Sequence, residues 1–326
     1  GVVIPRGTLV IKDGVILSVG ADASIPPGAR ILDGSGKTLY PGFIDAFDSQ
    51  KIPTVSSGSP HWNPEIQPQR SVASRFKVDS KRHAALRRTG IVARLAVPKN
   101  GILQGTSALV ATSDEPIVLN ENVALHAKLT VPRGRERDQY PNSPMGAVAL
   151  ARQTFLDARW YEQAWSVYSA DSRVGRPEKN DSLVALLPYL SGKGLVIFDC
   201  PNHRDSLRAD RFAREFNLKA ALLGSGNEYR RLAEITAAGR PIIVPVAFPK
   251  APDVGAAESA RTVPLQDLLH WDLAPENPAK LQASGLTLAV TTWGSEPREF
   301  LGNVRKAVKR GWKDDDALHA LTLAAA

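Results

Sequence analysis

A single cysteine, Cys200, stands among 326 residues. One thiol excludes an internal disulfide and any cysteine-built zinc cluster. It does not fix the compartment, because reducing and oxidising surroundings both tolerate it, although such sparse use leans toward an exported protein. Apolar runs long enough to span a bilayer are missing too, so no transmembrane segment is expected. Charge of one sign is not concentrated: the formal net charge of +8 and pI near 9.6 arise from Arg and Lys scattered among Asp and Glu. The densest stretches are residues 81–88 (KRHAALRR), 133–138 (RGRERD) and 306–313 (KAVKRGWK). No motif with interleaved aromatics accompanies them, so they read as solvated faces and nucleic acid is not the expected partner.

What is present is an ordinary globular composition, 43% apolar and 23% charged, with room for one large domain and a small appendage. The opening VVIPRGTLVIKDG reads as strand, and Gly1 implies a removed leader or a longer chain. Residues 8–40 alternate apolar and polar side chains between the turn signals Asp13-Gly14, Pro26-Pro27-Gly28 and Gly34-Ser35-Gly36, the pattern of short strands and tight turns. From Pro41 onward near-continuous apolar stretches (GFIDAF, IVARLAV, ALVAT, GLVIFD, AALLG, PIIVPVAF, LTLAVTT) recur. Between several of them lie segments of helical period (SKRHAALRRTG, SLRADRFAREFN, NEYRRLAEITAAG, PREFLGNVRKAVKRG). Such alternation predicts an α/β fold with a parallel sheet, a closed (β/α)₈ barrel at this length or else a doubly wound open sheet. Asp205-Ser206 is the expected start of one helix, Gly239 the end of another, and Asp314 to Asp316 the acidic start of a last one. Residues 125–144 read as a charged excursion over one end. No internal repeat is visible.

Residues 36–48, GKTLYPGFIDAFD, resemble the start of the barrel in the amidohydrolase superfamily, in particular its imidazolonepropionase-related and dihydroorotase-like members. Upstream, DGVILSVG and PPGARILDGSG resemble the small β-sandwich that precedes that barrel. Farther on, residues 194–234 are similar to the family's fifth and sixth strands with the helix between them. SGLTLAVTTWG resembles the eighth strand, and KRGWKDDDALHALTLAAA the helix that leads back to the sandwich. The likeness spans most of the chain in the expected order. It implies a partial β-sandwich over residues 1–40 and a barrel over 41–326.

The resemblance also implies hydrolysis by one or two divalent metals, held by His and carboxylates at the C-terminal ends of the strands. Those ligand positions are occupied by Phe47 and Ser49 on the first strand, Asp199 on the fifth, Gly224 or Ser225 on the sixth, and Thr292 or Trp293 on the eighth. Phenylalanine offers no lone pair and a neutral hydroxyl is a poor zinc ligand. The expectation is therefore no metal, no cofactor and no catalytic residue. The alternative is a rebuilt site for one divalent metal such as zinc, in which Asp45, Asp48, Asp199 and His203 serve a hydrolase of C–N bonds in cyclic amides or peptides. The other histidines, His61, His83, His126, His270 and His319, fall in segments that read as loops or helix faces and lack metal-ligand spacing.

Three further features carry weaker chemistry. Cys200 and His203 form a C-x-x-H pair without an orienting third group, so the cysteine reads as a small buried residue. The run Gly224 to Glu228 (GSGNE) opens a helix and could present amides to an anion, or be a tight turn. PHWNPEIQPQR and PVAFPKAPDV put proline and aromatics into loops that would close the mouth, dock a partner, or merely be stiff. The chain stops at Ala326, where the family's return to the sandwich would begin, leaving an expected half-sandwich with unpaired edges. A structural or partner-binding domain, completed by another domain or chain, with an active paralogous barrel as one candidate, is the leading expectation. A third reading is a small-molecule binding barrel with a pocket lined by Asp199, Asn202 and Ser225. Convergence of the four candidate ligands would favour the hydrolase, and Phe47 and Trp293 filling the mouth would favour the scaffold.

Overall fold

A computed structural model describes residues 3–50, 52, 58–132, 134 and 138–326. The chain divides into two compact units, Gly1–Pro41 and Gly42–Ala326. Most of the charged stretch 133–138 lies outside the described residues.

In the first unit, β1 (Thr8–Lys12) and β2 (Val15–Gly20) pair antiparallel across Asp13-Gly14, both with positive φ. Aspartate and glycine tolerate that left-handed geometry, which matches the twist of a two-residue hairpin. The strand begins only at Thr8, and residues 21–41 form turns and irregular chain rather than the further strands expected there. Alternation alone does not make a strand: the backbone needs a partner, and within this unit no other strand offers one among the described residues. Val10 is its one buried apolar side chain among them.

The second unit is an α/β fold. A four-stranded sheet has the order β3 (Phe43–Gln50), β4 (Ile91–Pro98), β6 (Ala108–Ala111), β7 (Val118–Asn120). A six-stranded sheet runs β12 (Leu288–Thr291), β11 (Ile242–Pro245), β10 (Lys219–Leu223), β9 (Leu195–Asp199), β8 (Ala124–Ala127), β5 (Leu103–Thr106). β3 and β4 are parallel, as are β8 to β12 in succession. The stretch ALVAT, read as one more strand of a parallel series, instead pairs antiparallel with β4, and β5 pairs antiparallel with β8. Side chains from β3, β4 and β8 to β12 share one inner cluster that includes Phe47, Leu95, Ala124, Ile197, Leu223, Ile243 and Ala289. β12 meets β3 through side chains: Thr291 Oγ1 donates to the Phe47 carbonyl at 2.5 Å, and the Thr292 amide donates to Asp45 at 3.2 Å.

A larger outer cluster lies between these strands and the helices. Its centre is an aromatic trio in which Phe155 sits 5.4 Å from Phe212 and 5.1 Å from Phe216. Phe155 belongs to the Pro144–Ala170 helix, which the helical segments picked out from sequence do not include. Its start is well marked: Ser143 caps Gly146 N, and Pro144 has no amide to lose. Buried Ala147, Leu150, Ala151, Thr154, Phe155, Ala158 and Tyr161 follow at helical spacing.

Other boundaries differ from expectation. The helix after β9 begins at His203, and its cap is Asn202, whose Oδ1 accepts from Arg204 N at 2.9 Å and Asp205 N at 3.1 Å, so Asp205 lies in the first turn. Gly239 ends its helix in the left-handed conformation, and Asp314 to Asp316 open the last one, both as read. Residues 124–127 form β8 rather than loop, with His126 buried inside it. Small flanking alanines let this strand sit between β9 and β5. His83 and His61 are buried as well. Among the described residues no helix is long and apolar enough to cross a membrane.

Candidate functional site

The C-terminal ends of β3, β4 and β12 build a charged floor. Asp48 receives Arg82 (Nε 3.3 Å, Nη2 3.2 Å) from the Ser80–Arg87 helix and Arg94 (Nη1 3.2 Å) from β4. Arg94 is nearly sealed, its side chain 3% exposed. Its Nε donates to His83 Nε2 at 3.1 Å and its Nη2 to Gln50 at 3.2 Å. Since His83 Nε2 accepts, the ring proton sits on Nδ1 and is given to the Ser113 carbonyl at 2.7 Å. Arg82 Nη2 also donates to Thr292 Oγ1 at 3.0 Å, which ties the helix to β12. Beneath it Asp45 is fully buried, accepting from Phe47 N, Thr292 N and Thr292 Oγ1. Burial, then the charge of Asp48, pushes its carboxyl up to about 6.

Across the inner cluster, β8 and β9 end in an ion pair. Lys128 Nζ lies 2.6 Å from Asp199 Oδ2. Two residues back along β8, buried His126 has no partner for Nε2 among the described residues, and burial pushes its ring down to about 3, so it is neutral. It touches Phe47 edge-on at 5.8 Å, and Phe47 touches Trp293 edge-on at 5.5 Å. An aromatic bridge thus links β8, β3 and the segment after β12. Phe47 is buried, whereas Trp293 is 38% exposed.

The remaining sequence candidates are dispersed. Ser225 is engaged by Glu228, whose Oε1 accepts from Ser225 N at 2.6 Å and Ser225 Oγ at 3.1 Å, while Oε2 accepts from Asn277 at 2.7 Å. The amide that could have met an external anion is therefore bound internally. His203 begins its helix with Nδ1 buried and without a partner among the described residues, and burial together with Arg230 lowers its pKa. Cys200 donates to the Phe198 carbonyl at 3.3 Å, and burial pushes its thiol well up, so it stays protonated and unreactive. Asn202 is spent on its cap. Among the described residues no group of three or more His, Cys, Asp or Glu comes together as a metal-ligand set.

The proline-aromatic loop 60–70 is pinned rather than loose. His61 N donates to Ser182 Oγ, Asn63 Nδ2 to the Tyr140 carbonyl, and Trp62 stacks on Tyr140 at 6.4 Å. Isolated bridges join Ile66 to Leu103 and Ser71 to Thr106. Gly105, at φ +112°, makes this close approach feasible, because a Cβ there would lie 2.5 Å from the Arg70 carbonyl oxygen. Lys128, Arg82, Arg94 and His83 were not picked out as site residues from sequence. Reading ALHAK as a strand, with His126 and Lys128 on one face, would have found the first.

No protein-family profile matches this sequence, and no curated protein matches it. Solved structures do. An amidohydrolase from Thermotoga maritima MSB8 superposes with a TM-score of 0.76 at 20% identity, over 97% of this chain and 82% of that one. A second amidohydrolase gives a TM-score of 0.50 at 14% identity, over 99% and 82% of the two chains. At these identities the likeness is one of fold, an amidohydrolase-like α/β architecture.

Proposed function

We propose that residues 42–326 form an amidohydrolase-type (β/α)₈ barrel that has given up metal-dependent hydrolysis and serves as a structural or partner-binding component of a larger assembly. The observation that carries this reading is the Lys128–Asp199 pair. In the family arrangement the fifth-strand end faces a cation, and here that cation is an ammonium of the chain's own. A divalent ion would have to displace it and would find Phe47, Ser49, Ser225 and Trp293 at the other corresponding positions, a donor set that does not fit a hydrolytic metal. The hydrolase alternative needs Asp45, Asp48, Asp199 and His203 on one ion, yet the first accepts three hydrogen bonds, the second holds two arginines and the third holds a lysine.

The partner is proposed to dock on residues 1–41 and complete a β-sandwich, an active homologous barrel being the candidate that accounts for both the altered ligand positions and the exposed hairpin. Support comes from Val15, Ile16, Leu17 and Val19, each 56–63% exposed. The test is metal content after loading with zinc and desalting. Well below one zinc per chain, in wild type and in Lys128→Ala alike, is expected. Stoichiometric zinc in the wild type that disappears in Asp199→Ala would sink the proposal and restore the hydrolase.

A further inference from the structure

A cleft of about 830 Å³ opens beside the charged floor, bordered by the ends of β3 and β12 and by the starts of the Ser80–Arg87 and Pro297–Lys309 helices. Its size is that of a small-molecule site. Two properties of its walls go beyond the structural role proposed above.

The first is a set of charges without partners. Lys77, Lys250 and Arg298 line the cleft, as do Glu296 and Glu299, and none of the five forms an ion pair among the described residues. Opposite charges that share one cleft yet do not neutralise each other are free to engage a guest carrying both signs. The second is the order of the floor. Arg82 is held on one edge by Asp48 and Thr292 through Nε and Nη2, so its guanidinium is fixed while Nη1 keeps its protons for a further acceptor. Its side chain is 28% exposed. The Pro297–Lys309 helix adds to this end: Glu296 at its cap makes no side-chain cap hydrogen bond, Pro297 has no N–H and the Glu299 amide donates to the Glu296 carbonyl at 2.9 Å, so the Arg298 amide is the first-turn donor left without a capping side chain.

We infer that this cleft binds a small zwitterion, an amino acid or short peptide whose carboxylate meets Arg82 and Arg298 and whose ammonium meets Glu296 and Glu299. Trp293 supplies the apolar wall for its side chain. The balance of signs selects the ligand class. A simple anion leaves the two glutamates unmatched, a simple cation leaves Lys77, Lys250 and Arg298 unmatched, and only a guest with both charges satisfies both sets.

The test is calorimetric titration of the full chain with glycyl-L-phenylalanine, its N-acetyl derivative and its C-terminal amide. Binding of the free dipeptide with a dissociation constant on the order of 0.1 mM is expected, with about tenfold weakening for each singly charged derivative. Arg298→Ala and Glu299→Gln, both on the exposed first turn, should each weaken the dipeptide by about tenfold without moving Tm. Glu299→Gln should also lessen the penalty for N-acetylation, which loss of structure alone would not do. No heat from any of the three up to ~10 mM would overturn the inference. So would equal binding of the dipeptide and its N-acetyl form, which would make the cleft a plain anion site. Metal content does not enter these readouts, so this inference and the proposed loss of hydrolysis fail separately.

Discussion

The two units use similar apolar residues to opposite ends. In Gly42–Ala326 valine, leucine and phenylalanine are packed into two large clusters, inside and outside the strands. In Gly1–Pro41 valine, leucine and isoleucine alternate with polar residues, and Val10 alone is buried among those described. The difference teaches that periodicity encodes which face wants covering, and not whether the chain itself supplies the cover. A lone two-stranded hairpin is marginal in water.

Substitutions in both units sharpen or break that contrast, and the largest effect belongs to the second unit's core. Phe155→Ala removes the ring that touches Phe212 and Phe216, and denaturant unfolding should show a loss of about 3–5 kcal/mol. A loss under ~1 kcal/mol would mean that this core is as loosely held as the hairpin. Next comes Asp48→Ala, which strands buried Arg94 and half-buried Arg82 and should cost about 3 kcal/mol by the same measurement. Asp48→Asn, which keeps acceptors in place, should cost less.

Two buried titratable groups give smaller effects that depend on pH and differ in sign. Asp45 has a folded pKa near 6 against an ordinary 3.8, so the folded chain holds this proton more tightly than the unfolded one. Its contribution to stability is complete below the ordinary value and is lost as pH rises through about 6. Asp45→Asn should therefore match wild type near pH 4 and exceed it at pH 8 by roughly 2–3 kcal/mol, read from melting curves across that range. His126 behaves oppositely, since burial lowers it from 6.5 to about 3 and its contribution fades as pH falls through that interval. His126→Phe, which keeps an aromatic ring against Phe47, should flatten the acid side of the profile; an unchanged acid limb would show that the ring is accessible to protons. The smallest effect is expected in the hairpin. Ile16→Ser and Leu17→Ser should change stability by no more than ~0.5 kcal/mol while lowering self-association in light scattering, and a large loss would mean that residues 1–41 bury these side chains after all.

Much of the second unit was legible because its signals are local. FIDAF, VIFD and AALL are continuous apolar runs, Gly239 sits where a left-handed cap is needed, and three aspartates open the last helix. What was hidden depends on pairing. ALHA looks polar at His126 and becomes a strand only between β9 and β5. Ser143-Pro144 is a good helix start, but it follows a charged, aperiodic stretch that reads as one long loop. The candidate site divides in the same way. Phe47, Ser49 and Trp293 were recognisable in line, whereas the answering charges come from elsewhere in the chain: Lys128 lies 71 residues before Asp199, and Thr292 lies 210 residues from Arg82. No spacing rule links such partners.

The carboxylate of Glu228 has a consequence for what the segment after β10 can recognise. Tethered three residues from the Ser225 amide and held from behind by Asn277, it acts as a ligand that never dissociates into bulk solvent. Its effective concentration at that amide is set by the chain and lies in the millimolar range or above. A free phosphate or carboxylate has to outcompete it, so at ordinary metabolite levels this turn is closed to anions by occupancy rather than by shape. Glu228→Gln would weaken the resident acceptor without removing it, making an anion seat the chain now fills itself available to outside competitors.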